Sequence, residues 1–210
     1  MYVPRFHALD DAEAIRAMVR GVGSAELVTV GGDGYPLATR LPVVWDEHGG
    51  RLVMHMARAN PHWHSIPLDH EIPALAVVTG AEAYVSPRWY ATKAEHGRVV
   101  PTWNYSAVHL AGRLRRHDDP DWLRAAVTLL TDQHESGRGE PWAVTDAPAA
   151  YVDKQLKAIV GLELTIERVE GKAKLSQNRS EADRAGVIAG LRAEGGSRER
   201  VVAEQMGLGD

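Results

Sequence analysis

Apolar and polar positions along this chain follow two rhythms. Behind Asp10 and Asp11, Ile15, Met18 and Val19 fall three and four apart, which predicts a capped helix ending before Gly21 and Gly23. From Ala25 the spacing becomes two. Ala25–Val30 reads as a strand, and Gly31-Gly-Asp-Gly34 as a hairpin turn built from residues that tolerate positive φ. Further strands are predicted from Leu37 to Trp45 and from Arg51 to Ala57. Leu37, Leu41, Val43 and Trp45 share one face of the first, and Leu52, Met54 and Met56 one face of the second. These faces coincide only across a loop with an even number of residues. A loop of Asp46 to Gly49 fits, and it would set Arg40 opposite His55 on the face turned away from the core.

Downstream, Asn60 and Pro61 open a short helix with Trp63 and Ile66. Pro73–Val78 and Ala83–Val85 read as strands, and Ser86–Arg98 as a connection long enough to be functional. A long strand follows from Trp103 to Arg115, then a helix from Asp119-Pro120 bearing Trp122, Ala126, Leu129, Leu130 and Gln133 on one face. A helix is expected over 149–158, a strand over Leu162–Val169, and a last helix from Ser180 with Asp183 three residues on. Beyond Gly195 a polar, mobile tail is expected. Mostly antiparallel hairpins with interspersed helices favour a mainly β chain with helices (α+β), either a barrel or a sandwich. One domain over 1–195 and a tail over 196–210 are expected.

Composition narrows the chemistry. The chain of 210 residues has no cysteine, which excludes disulfides, thiolate metal sites and cysteine nucleophiles. No segment approaches the roughly 20 apolar residues that cross a bilayer, and no apolar run follows a basic start, so a cytoplasmic location is expected. The net charge of −4 argues against unaided binding to a phosphate backbone. The one dense basic cluster, Gly112-Arg-Leu-Arg-Arg116, runs straight into Asp118 and Asp119. Six tryptophans against one phenylalanine offer flat faces with a hydrogen-bond donor.

The stretch His55-Met-Ala-Arg-Ala-Asn-Pro-His-Trp-His-Ser65 is the densest in chemistry. His62 and His64, two apart on a helix, point about 200° from each other, which suits no single metal ion. Serines and histidines are present, but no nucleophile elbow is. An anion site suits the stretch better: a helix N-terminus, the fork of Arg58, and Trp63 as a wall, with Arg40 and His55 adding charge. This describes a flat phosphorylated ligand; the alternative is a solvated arginine beside a cap. Lys174, Gln177 and Asn178 form a second polar group able to serve a ring edge.

Several motifs fix a resemblance: Thr39-Arg-Leu-Pro42, His55-Met-Ala-Arg-Ala-Asn-Pro61, Tyr84-Val-Ser-Pro87, Lys93-Ala-Glu-His-Gly97, Val100-Pro-Thr-Trp-Asn-Tyr105, Pro141-Trp142 and Lys174-Leu-Ser-Gln-Asn178. From Met1 to about Glu194 the sequence resembles the PaiB-type FMN-binding negative transcriptional regulators. The resemblance implies an antiparallel split β-barrel of the flavin-reductase and pyridoxamine-phosphate-oxidase kind, and a homodimer with FMN in the groove between protomers. By motif, Arg40, His55, Arg58 and Asn60 would serve the phosphate and ribityl end, with Ala57 and Trp63 also among the cofactor-binding residues. Leu41 and Pro42 would present backbone to the ring. Trp103, Asn104, Lys174 and Gln177 would complete the pocket, some from the partner. Many relatives carry an aromatic where this chain has Ala173, which implies a more open pocket. The resemblance supports a regulator that senses flavin. A flavin oxidoreductase acting on a small molecule is the alternative, and haem binding a third; no general acid stands out, since the candidates His96 and His109 also read as structural.

Overall fold

A computed structural model describes residues 1–207. In chain order the elements are α1 (Ala12–Val22), β1 (Ser24–Val30), β2 (Pro36–Asp46), β3 (Arg51–Ala57), β4 (Ile72–Val85), α2 (Thr92–His96), β5 (Thr102–His117), α3 (Pro120–Glu135), α4 (Ala149–Leu156), β6 (Ile159–Lys174), α5 (Glu181–Glu194) and α6 (Ser197–Gly207). The strands close into a barrel in the order β1-β2-β3-β6-β5-β4, which decides between barrel and sandwich. The pairings of β1 with β2 and β4, of β2 with β3, and of β3 with β6 are antiparallel.

By packing, the chain forms two compact units. The first holds residues 12–78 and 109–169. Its core is built from inward residues of β1, β2, β3, β5 and β6: Leu27, Leu41, Val43, Leu52, Met54, Leu110, Leu114, Leu162 and Leu164, all buried. The period-two pattern of the sequence is therefore the inside-outside alternation of the barrel wall. Gly161 matters for the outer wall. A Cβ there would lie 2.2 Å from the Trp122 ring, so only glycine lets α3 lay that indole on the strand. The second unit holds residues 1–11, 79–108 and the described residues from 170 onward. It packs Val85, Tyr90, Val187, Leu191, Val202 and Met206 together.

Several expectations are corrected. The two short strands at Pro73 and Ala83 are one, β4, which continues straight through Thr79 and Gly80. The helix at Pro61 is a five-residue 3₁₀ turn. Residues 197–207, expected as a polar mobile tail, are helix α6, because Val202, Ala203 and Met206 bury one stripe of it in the second unit's core. The connection after Ser86 carries a 3₁₀ turn at Pro87–Trp89 and α2. The β2–β3 loop has an even number of residues as expected, but pairs Asp46 with Arg51 and Val43 with Met54. That register is two residues from the expected one. Arg40 is thus not opposite His55; its cross-strand partner is Glu26 on β1, and that of His55 is Gly161 on β6.

Candidate flavin site

The end of β3 builds the first group. Ala57, exposed, pairs with Ile159, and the chain then turns at Arg58. Arg58 Nη2 donates to Asp118 Oδ1 at 2.7 Å and to the Ile159 carbonyl at 3.0 Å; its Nε donates to the Lys157 carbonyl. Arg116 shares the same carboxylate, with Nε 3.2 Å from Asp118 Oδ2. Both guanidiniums lie over the Trp63 ring, at 5.6 and 5.1 Å from its centre, and the indole N–H donates to the Arg58 carbonyl. Two cations thus meet one carboxylate and one aromatic face, an arrangement attractive to a further anion. A cavity of about 490 Å³ opens beside them, lined by Arg58, Asp118, Leu123, Asp153 and Lys157.

Asn60 takes the capping place expected of it just before Pro61. Its Oδ1 accepts the His62 N–H and its Nδ2 donates to Thr39 Oγ1, so it caps the turn. The turn is too short to have a helix dipole, and the N–H groups expected for an anion are partly spent on this cap. His62 is buried and holds the turn to the barrel, its two ring nitrogens bonded to Thr29 and Thr39 hydroxyls at 2.8 and 2.7 Å. On β2, Arg40 stands exposed, paired with Glu26 at 3.2 Å and donating to Ser24 Oγ. Leu41 points into the barrel core, and both Leu41 and Pro42 lie in the β1–β2 ladder. His55 faces a different space, walled by α3 and α4. Burial holds its imidazole below the usual range.

The second group lies in the second unit. Lys174 Nζ donates to Thr102 Oγ1 at 2.5 Å and to the Trp103 carbonyl at 2.6 Å. Burial, then the neighbouring charges of Lys172 and Arg179, hold its pKa below that of an ordinary lysine. Lys172 donates to the Tyr2 carbonyl and lies over the rings of Tyr2 and Tyr105. Gln177 Oε1 accepts from His7 Nδ1 at 2.9 Å and from the Leu175 N–H, which places the proton of neutral His7 on Nδ1. Burial keeps His7 below the normal histidine range, opposed in part by that bond. Trp103 is half exposed, with Tyr84 edge-on to it. Asn104 is fully buried: its Nδ2 donates to Ser176 Oγ at 3.0 Å and to Met206 Sδ. It braces Ser176, a non-glycine residue at φ 63°, in the left-handed region where such strain persists only under fixed surroundings.

Against this geometry stand the likenesses of the chain. Residues 1–168 match the family described as "Putative FMN-binding domain". The chain belongs to this FMN-binding family. It is 31% identical over 208 residues to the Protease synthase and sporulation protein PAI 2 of Bacillus subtilis, covering 98% of this chain and 96% of that one. It is 32% identical to protein AN0679 of Emericella nidulans, covering 91% and 90%. In fold it is similar to the FAD and heme binding protein of Mycobacterium smegmatis, with a TM-score of 0.59, 21% identity, and coverage of 89% and 78%. The barrel is the split barrel of the flavin-binding kind.

The residues present fit a flavin mononucleotide. A phosphate needs cations that are not fully neutralised, and Arg58 and Arg116 with their single carboxylate supply them. A ring system needs a flat apolar face, and half-exposed Trp103 offers one in the second unit. The sequence does not single out Arg116 and Asp118 as partners of Arg58. They read there as a basic cluster closed by acids; only the long reach from β3 to the end of β5 makes them neighbours of Arg58. His7 and Thr102 were missed for the same reason. Among the described residues no cluster of metal-ligating side chains occurs.

Proposed function

We propose that this protein binds FMN at a homodimer interface and acts as a flavin-responsive regulator. The phosphate is taken by Arg58 and Arg116, with Trp63 beneath and Ala57 and Asn60 shaping the turn. Arg40, exposed on the outer face of β2 with Pro36, Ala38 and Pro42 around it, borders the same ligand along Leu41 and Pro42. That open strand face, with exposed Val30 and Tyr35 near its end, suits a second protomer. Trp103, Lys174 and Gln177 offer an indole, a cation and an amide to the flavin of that partner, and buried Asn104 braces them. When bound, the flavin supplies redox chemistry; a cation near its ring edge favours the anionic reduced form. The observation that carries this reading is the pair of guanidiniums on one carboxylate and one indole, in a chain of an FMN-binding family.

Regulation is supported by the relative whose name ties it to protease synthesis and sporulation. The net charge of −4 favours action through a protein partner over direct reading of DNA. The test is a flavin titration of the purified protein, followed by fluorescence and by mass in solution. Saturable binding of one FMN per protomer by a dimer is expected. A folded protein that leaves FMN fluorescence unchanged would remove the reading.

A further inference from the structure

A separate cavity lies on the outer wall of the barrel, and it points to a second ligand. It measures about 250 Å³ and is lined chiefly by His55 of β3, Val127 of α3, Trp142, Val144, Tyr151 of α4 and Ile159 of β6. An engineered apolar cavity of about 150 Å³ is enough to hold benzene, so this one admits a single substituted ring. Among the described residues its lining includes no charged side chain. An adjoining space of about 270 Å³ shares His55, Val127, Thr131 and Trp142 with it and adds Leu130, His134 and Glu135.

His55 is one of four polar side chains on the cavity, with Thr131, Tyr151 and Gln155. Its Nδ1 is enclosed and has no hydrogen-bond partner. An orphaned buried N–H is rarer than an orphaned buried acceptor. The proton of the neutral ring therefore belongs on Nε2, and burial lowers the pKa of His55, which favours that neutral form. The imidazole then has one N–H to give and no positive charge to offer.

We infer that this cavity binds a small uncharged aromatic compound bearing one acceptor oxygen, of the aryl-ketone class. Its ring lies among Val127, Trp142, Val144 and Ile159, and its oxygen accepts from His55. The site is distinct from the Arg58 group and does not depend on the flavin reading.

Acetophenone, ethylbenzene and benzoate are the probes, titrated into the full chain with and without saturating FMN and followed by histidine ring NMR signals and ligand saturation transfer. Acetophenone is expected to bind saturably and equally in both conditions, to move one histidine resonance, and to bind about tenfold more tightly than ethylbenzene, the value of one hydrogen bond. Benzoate is expected to bind more weakly than acetophenone. His55→Phe keeps the ring volume; it should remove the moving resonance and the preference for acetophenone while ethylbenzene binding persists. Val127→Trp should fill the cavity and abolish binding of both, with a cooperative melt showing that it folds. Absence of saturable binding, displacement by FMN, or a preference that survives His55→Phe would overturn the inference. If FMN fails to bind while acetophenone binds as described, only the flavin reading falls.

Discussion

The two cationic groups of this molecule are built on opposite principles. In the barrel unit, Arg58 and Arg116 meet a carboxylate, Asp118, and Arg40 meets Glu26. In the other unit, Lys174 is held by a hydroxyl and a carbonyl, and Lys172 by a carbonyl and two rings. Charge in the first is fixed in direction and mostly cancelled. Charge in the second is left standing; burial first, and then the charges of Lys172 and Arg179, lower the affinity of Lys174 for its proton. The difference teaches what each can do. Forked guanidiniums held by a carboxylate give a phosphate a fixed geometry. A desolvated lysine gives a nearby ligand a positive field and loses its charge most easily.

Substitutions can break this contrast. The largest effect is expected from Arg58→Gln, which should weaken FMN by about 100-fold, the loss of a charge-assisted phosphate contact. A fluorescence titration reads it. Lys174→Met should weaken FMN by only about five- to tenfold, since a lysine acts as a point charge. In the same titrations, its contribution should also vanish at a lower pH than that of an ordinary lysine, because its folded pKa is depressed. Asp118→Asn sharpens the comparison from the other side. Uncovering the two arginines should tighten FMN about threefold and steepen its dependence on salt, seen by titrating at two ionic strengths.

A smaller effect concerns stability rather than binding. His7, His55, His62 and His117 all have folded pKa values pushed below the usual imidazole value, chiefly by burial. The unfolded chain therefore takes up protons first as pH falls. The stability these groups contribute is complete above about pH 6.5 and is lost as the pH drops below it through their folded values. Denaturant midpoints should fall between pH 7 and pH 5. For His62→Leu, which strands the Thr29 and Thr39 hydroxyls, a loss of about 2–4 kcal/mol is expected at pH 7 and a shallower pH slope.

How much of this could be read from residues alone follows from the range of the interactions. The barrel strands were legible because inward and outward positions alternate in sequence, as at Leu41, Val43 and Met54. The register of β2 on β3 was legible only modulo two, since apolar faces coincide equally well for either even offset; that ambiguity displaced Arg40 from His55. Helix α6 was not legible. Its buried stripe is only Val202, Ala203 and Met206 among polar neighbours, and besides Val187 and Leu191 of α5 its packing partners, Val85 and Tyr90, are more than a hundred positions away. Arg58 was legible as a cation, but its partners Arg116 and Asp118 were not, because nothing local ties the end of β3 to the end of β5. Asn60 was legible as a cap from its place before Pro61, and it caps the turn by accepting the His62 N–H.

The central claim is that Arg58 and Arg116 hold the phosphate of FMN. The most direct measurement compares FMN with riboflavin, which lacks the phosphate, in the unaltered protein and in Arg58→Gln. The account predicts FMN about 100-fold tighter than riboflavin in the first and a gap reduced to a few-fold in the second, with riboflavin affinity unchanged. An equal gap in both proteins would contradict it and place the phosphate elsewhere.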